Sequence, residues 1–106
     1  MTFHGLLGRV PITMTLAQAP AKVNTDVAID VHEQVSERPH TLTDLWVSAS
    51  MQGMSMPDEI FRLQRTATGT FATKAVFVMP GTWTVVVHAR EKLRSYEQTF
   101  NIVVTS

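Results

Sequence analysis

The sequence predicts an all-β domain, a seven-stranded antiparallel sandwich of immunoglobulin type, and three observations carry that expectation. Apolar residues alternate with polar ones at period two through most of the chain. The alternating runs are rich in Val, Ile, Thr, Phe and Trp and are broken at short intervals by Gly, Pro, Asn and Asp. No stretch shows the 3.6-residue period of an amphipathic helix. Short strands with evenly spaced turn signals bury their apolar faces best as two sheets laid together. The Cys-Trp-Cys signature of antibody domains is absent, because the chain has no cysteine. The expected resemblance is therefore one of architecture.

The elements follow in order. Ile12, Met14 and Leu16 alternate with Thr13 and Thr15, a half-buried first strand. Residues 1–10 are expected to lie outside the domain, as an N-terminal extension or the stub beside a removed anchor, leaving 11–106 as the sandwich. Ala19 to Thr25 reads as a turn. Val27, Ile29 and Val31 alternate with Ala28, Asp30 and His32 as a second strand, and the polar segment Glu33 to His40 as a loop. The third strand, about Thr43 to Ser50, sets Leu45, Val47 and Ala49 against Trp46, Ser48 and Ser50. Phe61 to Arg65 is expected as an edge strand, joined by a hairpin-like link over Thr66 to Thr70 to the longest strand. That strand lines one face with Phe71, Thr73, Ala75, Phe77 and Met79. Pro80-Gly81 predicts a tight turn, since proline fixes one backbone angle and glycine accepts a positive φ. Trp83, Val85, Val87 and Ala89 then face inward, with Thr84, Val86 and His88 opposite. Arg90 to Ser95 reads as a charged loop with at most one helical turn. Tyr96, Phe100, Ile102 and Val104 complete the seventh strand.

The bulk numbers exclude several functions. At 106 residues, 44% of them apolar, the chain holds one core and is not disordered. Nine basic and nine acidic residues cancel. A neutral chain has no field to attract a phosphate backbone or an anionic bilayer, so no nucleic-acid partner is expected. Without cysteine there is no disulfide framework, thiolate metal site or catalytic thiol. No apolar run approaches the roughly 20 residues that span a bilayer, so no membrane span is expected within the chain.

One stretch departs from this plain β pattern. Ser50-Met51-Gln52-Gly53-Met54-Ser55-Met56-Pro57 places three of the six methionines within six residues. A thioether is a soft, uncharged donor that suits Cu(I), and its affinity does not depend on losing a proton. Gly53 lets the backbone fold tightly so that sulfurs converge, and Pro57 stiffens the exit. Methionines are also adaptable core fillers, and an exposed cluster can act as a protein-binding patch. The polar, small residues around these three place them in a surface loop, which favours a role outside the core. Met79, before Pro80-Gly81, is a further candidate thioether on the same rim, although its parity with Phe71 and Phe77 points it inward. The histidines read as ordinary surface residues. His40 lies roughly 30 Å from Ser50 along a straight strand; His32 and His88 are expected to be exposed. Thr2-Phe3-His4 could wrap Cu(II) in square-planar fashion only after removal of Met1.

These residues carry a resemblance. The methionine run, followed by Gly69-Thr70-Phe71 and by Phe77-Val78-Met79-Pro80-Gly81-Thr82-Trp83-Thr84-Val85-Val86-Val87, is similar to the YtkA-like and FixH-like domains. In those, a methionine-glycine-methionine-proline loop precedes a phenylalanine-x-methionine-x-glycine-x-tryptophan segment. The match covers about Val27 to Val104, and the coupling of loop and turn is its most specific part. The resemblance implies an immunoglobulin-like sandwich on the extracytoplasmic side of a bacterial membrane, in the periplasm or on the outer face, often anchored. It also implies an association with copper handling or cytochrome oxidase assembly. By position the implied ligands are Met51, Met54 and Met56, with Met79 in second rank. The loop holds no histidine where related copper proteins mix His with Met, which points to Cu(I) rather than Cu(II) as the cofactor.

An enzyme is not expected: no nucleophile sits on a recognisable elbow, and Asp58-Glu59 reads as a solvated turn. The expected function is copper binding or delivery. The alternative is a non-catalytic interaction or structural module of a larger membrane-associated assembly, in which the methionines form an apolar contact to a protein partner.

Overall fold

A computed structural model of the chain describes residues 2–7, 10–17, 21–33, 44–53, 58–67, 69–91 and 94–105. Every element among them is a strand: β1 Thr2–Leu7, β2 Val10–Leu16, β3 Ala21–Lys22, β4 Asp26–Glu33, β5 Asp44–Met51, β6 Glu59–Arg62, β7 Gln64–Ala67, β8 Thr70–Val76, β9 Gly81–Glu91 and β10 Arg94–Thr105. They form two five-stranded sheets, one in the order β1-β2-β4-β8-β7 and the other β3-β10-β9-β5-β6. All pairings are antiparallel except the two-residue contact of β3 with β10.

Ten strands stand where seven were expected, for three local reasons. Residues 2–7, set outside the domain by the sequence reading, pair with β2 from Thr2↔Thr15 to Leu7↔Val10 as an edge strand. The short β3 lies beside the end of β10. The single edge strand expected over Phe61–Arg65 is divided at Leu63, which is buried and donates its N–H to the Leu45 carbonyl at 3.1 Å. The division lets β6 pair with β5 in one sheet and β7 with β8 in the other.

The inner faces supply one continuous core. Val27, Ile29 and Val31 of β4 face Val47 of β5 and Trp83, Val85, Val87 and Ala89 of β9 in a single buried cluster. Burying each large aliphatic or aromatic side chain contributes roughly 1.5–3 kcal/mol. Period-two alternation assigned these faces correctly, because one side of each sheet meets the core and the other meets solvent. On the open side, β1 is tied to β10 of the opposite sheet. The Phe3 and Phe100 ring centroids are 5.5 Å apart, and the Leu6 N–H donates to Gln98 Oε1 at 2.9 Å. That side chain satisfies a backbone donor on an otherwise unpaired sheet edge, a site open to misassociation.

Four further expectations change. Pro80-Gly81 does not form the tight turn expected: β8 ends at Val76, and Phe77 to Pro80 carries the chain from one sheet to the other. The longest strand is thus β10, with 12 residues, not the one through Phe71. The charged segment Arg90–Ser95 is not a loop with a helical turn. The ladder continues through Ser95↔Arg90 and Arg94↔Glu91, since long charged side chains on an exposed face do not interrupt backbone pairing. Glu33, placed in a loop by its polarity, is the buried last residue of β4.

Candidate functional site

The methionine corner begins where β5 runs out. Met51 is the last residue of β5 and pairs with Trp83 of β9. Gln52 then donates its N–H to the Thr82 carbonyl at 3.0 Å, and Gly53 turns the chain at φ 78. That left-handed angle suits glycine, and nothing lies within 4 Å of where a Cβ would sit. Met54 and Met56, two of the three loop thioethers, lie outside the described residues, as does His40. The chain is next described at Asp58 and returns as β6, antiparallel to β5.

Two of the four candidate sulfurs are therefore placed. Met51 is half-buried and packs against the core; a Cβ added at Gly81 would fall 2.5 Å from its Cε methyl. Its side chain thus lies directly over Gly81. Met79, also half-buried against the core, stands two residues before Gly81 in the crossover between the sheets. The fully buried Trp83 indole, packed edge-on to Phe77 at 5.2 Å, donates its N–H to the Met79 carbonyl at 2.9 Å. That bond clamps the crossover. Glycine at position 81, with φ 143, permits both the backbone angle and the approach of Met51. Met51 and Met79 are brought to the same end of the fold, neither sunk completely into the core nor left fully in solvent.

Glu59 is a residue that sequence reasoning passed over. Expected in a solvated turn, it opens β6 opposite the buried Ala49. Its Oε2 is buried and has no hydrogen-bond partner among the described residues. A carboxylate oxygen withdrawn from water without a partner is costly, commonly 1–3 kcal/mol or more. The sequence carried one signal: period-two parity places residue 59 on the face shared by Ala49 and Val47.

The histidines divide. His4 is exposed, with Nδ1 3.5 Å from the Thr13 hydroxyl, and Thr2 to His4 are held in the β1–β2 ladder. His32 is exposed and bonds Thr70 Oγ1 at 3.0 Å. His88 is not the exposed residue expected; its side chain is 18% accessible. It stacks on Trp46 with ring centroids 5.2 Å apart and an interplanar angle of 5°. Among the described residues there is no group of three His, Cys, Asp or Glu side chains arranged to hold a metal. An open groove over Asp30, Arg62, Gln64 and Lys74 includes none of the methionines.

No protein-family model and no curated protein matches the sequence. Among solved structures, the chain is similar to a DUF4785 family protein from Legionella pneumophila, with a TM-score of 0.69 and 5% identity over 91% of this chain. The chain spans 29% of the length of that protein. At this identity the likeness shows a common fold, an all-β arrangement of two sheets. The chemistry has to be argued from this chain's own side chains.

Proposed function

We propose that this chain is an extracytoplasmic, immunoglobulin-like sandwich that binds or delivers Cu(I) through thioether sulfurs at the end of β5. The observation that carries the reading is the seating of Met51 on Gly81, two residues from Met79. Two half-buried thioethers stand at one end of the fold, and the sequence that follows Met51 carries two more, Met54 and Met56; thioethers are soft, uncharged donors. Such a set fits Cu(I) and is poorly matched to Zn²⁺, Mg²⁺ or Ca²⁺, which favour nitrogen or oxygen ligands. The fit belongs to the sulfurs alone; no nitrogen or oxygen cluster of metal-binding type accompanies them among the described residues.

The strand order supports the architectural half of the proposal. The run β2-β4-β8-β7 against β10-β9-β5-β6 follows the A-B-E-D and G-F-C-C′ order of immunoglobulin topology. In that scheme β3 is a short A′ piece beside G, and β1 is an added edge. The resemblance to YtkA-like and FixH-like domains supplies the setting: a role in copper homeostasis or oxidase assembly, outside the cytoplasm, on a membrane-anchored protein.

A competition titration with a Cu(I) chelator under reducing conditions tests the function. The parent is expected to hold about one Cu(I) per chain, with an affinity that stays level as pH changes because no ligand must lose a proton. Met51→Leu weakens binding, and the Met54→Leu/Met56→Leu pair abolishes it. Equal Cu(I) affinity in the parent and that double variant would sink the proposal.

A second reading rests on a different surface. Ile60 and Val103, 63% and 58% exposed, stand on the outer face of the β3-β10-β9-β5-β6 sheet. The structural neighbour holds this fold as less than a third of its length. Both features suit a module of a larger membrane-associated assembly. In that case Ser in place of Ile60 and Val103 abolishes partner binding, while Leu at the same two positions preserves it.

A further inference from the structure

The outer face of the β3-β10-β9-β5-β6 sheet holds a cluster that the copper reading does not use. Ser48 on β5, His88 on β9 and Glu97 on β10 lie side by side on adjacent strands; Glu97 is directly opposite His88, and Ser48 is diagonal to it. The Ser48 hydroxyl is 2.8 Å from His88 Nε2. On the other side of the ring, His88 Nδ1 is 3.4 Å from Glu97 Oε1. Trp46 stacks on the imidazole, with the Arg90 guanidinium 5.7 Å from the indole centroid. The ring is thus held by an indole face and a hydroxyl, with a carboxylate beside its other nitrogen. In the tautomer that carries the proton on Nδ1, the nitrogen nearer Glu97, Nε2 is the acceptor of the Ser48 hydroxyl proton.

That is the sequence of contacts by which a weak hydroxyl nucleophile is activated: nucleophile to base, base to an orienting acid. None of the three is needed for the core, whose side chains leave the opposite face of the same strands. Ser48 is flanked across the ladders by Ile60 on β6 and Val86 on β9, so the space above its hydroxyl is bordered by branched aliphatic groups.

We propose that Ser48 is an activated nucleophile that accepts an acyl group from small esters with an apolar acyl chain. Ser48 Oγ forms a bond to the ester carbonyl carbon while its proton passes to His88 Nε2. Collapse of the tetrahedral adduct breaks the bond to the leaving oxygen, which takes that proton. The products are an acylated Ser48 and a free alcohol. Ser48 lies inside a strand paired on both sides, so the amides around it serve the two ladders and none is spare for the developing oxyanion. Loss of one such donor costs about 10²–10³ in rate in hydrolases that have it. Both acylation and hydrolysis are therefore slow; with an activated ester, whose leaving group departs readily, acylation is the faster of the two, and a single slow burst is the expected behaviour.

The test uses the intact chain with p-nitrophenyl butyrate, following nitrophenolate release and locating the adduct by peptide mass spectrometry. The expected result is a burst of one equivalent or less per chain, with butyrate on Ser48. Ser50 is the internal control: it is on the same strand face, but the residue diagonal to it on β9, where Ser48 has His88, is Val86. His88→Gln keeps a polar side chain beside Ser48 but cannot take the proton, and should lower the acylation rate by about 10²-fold or more, in line with general-base contributions. Glu97 acts as a positioning residue and is 65% exposed. Glu97→Gln should slow the burst by about tenfold or less, and Glu97→Asp should restore most of it, a rescue that a merely structural role does not predict. Ser48→Ala, with an unchanged far-ultraviolet circular dichroism spectrum, should show no burst. The absence of an adduct in the parent, equal labelling of Ser48 and Ser50, or an unchanged rate in His88→Gln each overturns the proposal.

Discussion

Gly81→Ala tests the geometry on which the methionine corner depends. Two costs are legible at this position. At φ 143 an L side chain is in a region favourable only to glycine, which costs about 1–3 kcal/mol. The new Cβ would also lie 2.5 Å from the Met51 Cε, closer than any ordinary carbon contact. That atom is the far end of a flexible side chain, so Met51 moves rather than the backbone, at about 0.5–1.5 kcal/mol for a displaced rotamer. The sum is about 2–4 kcal/mol. For a domain of this size each kcal/mol lowers Tm by roughly 4–8 °C, so a fall of about 10–30 °C is expected. Urea denaturation of the parent, Gly81→Ala, Met51→Ala and the double variant separates the two costs. Truncating Met51 removes the collision and leaves the angle strain. Gly81→Ala should therefore cost about 1 kcal/mol less in the Met51→Ala background. The same cost in both backgrounds would mean that Met51 does not lie over Gly81, and the copper proposal would lose the observation that carries it. A Gly81→Ala midpoint equal to the parent's would refute both terms at once.

Two other substitutions probe what holds the site in place. Trp83→Phe removes the indole N–H that donates to the Met79 carbonyl and leaves a cavity in the core, for an expected loss of about 2–4 kcal/mol by urea denaturation. If Trp83→Phe unfolds at the parent's urea concentration, the crossover is not held by that bond. Gly5→Ala puts a Cβ 2.5 Å from Gln98 Cγ, displaces the amide and frees the Leu6 N–H. Hydrogen exchange at Leu6 should accelerate about tenfold while core amides of β9 keep their rates, because edge strands open locally. Unchanged exchange at Leu6 would show that Gln98 does not close that edge.

Most of the fold was legible because the sheet faces are so unequal. Val85, Val87 and Ala89 are wholly buried, and Thr84, Val86 and His88 half-buried, the pattern that period-two alternation announces. The strand count was not legible. Leu63 is an ordinary apolar residue in sequence, yet it is the point at which the chain leaves one sheet for the other; only tertiary pairing decides that. Thr2–Leu7 alternates too weakly to announce a strand, and its ladder with β2 forms because β10 closes over it through Phe100 and Gln98. Pro80-Gly81 carries the signal of a tight turn, but the same dipeptide serves here as the end of a crossover, where glycine is required by the backbone angle and by the approach of Met51. The His88 contacts had no signal at all, because the side chains facing it come from positions 40 and 9 residues away on neighbouring strands.

The two proposals sit on one strand and can still fail separately. Along β5, Leu45, Val47 and Ala49 point into the core, while Trp46, Ser48 and Ser50 point out. Met51 ends the strand on the inner parity, with its methyl on Gly81. A substitution at Ser48 changes the outer face and removes no contact to Met51, whereas Met51→Leu changes the inner rim and leaves the Ser48–His88 bond in place. Non-interacting sites on opposite sides of a sheet are the situation in which mutational effects add. Cu(I) affinity in Ser48→Ala and acylation in Met51→Leu should each match the parent. If either fails to match, the strand itself has shifted, and the lost property then reports on the scaffold rather than on the residue that was changed.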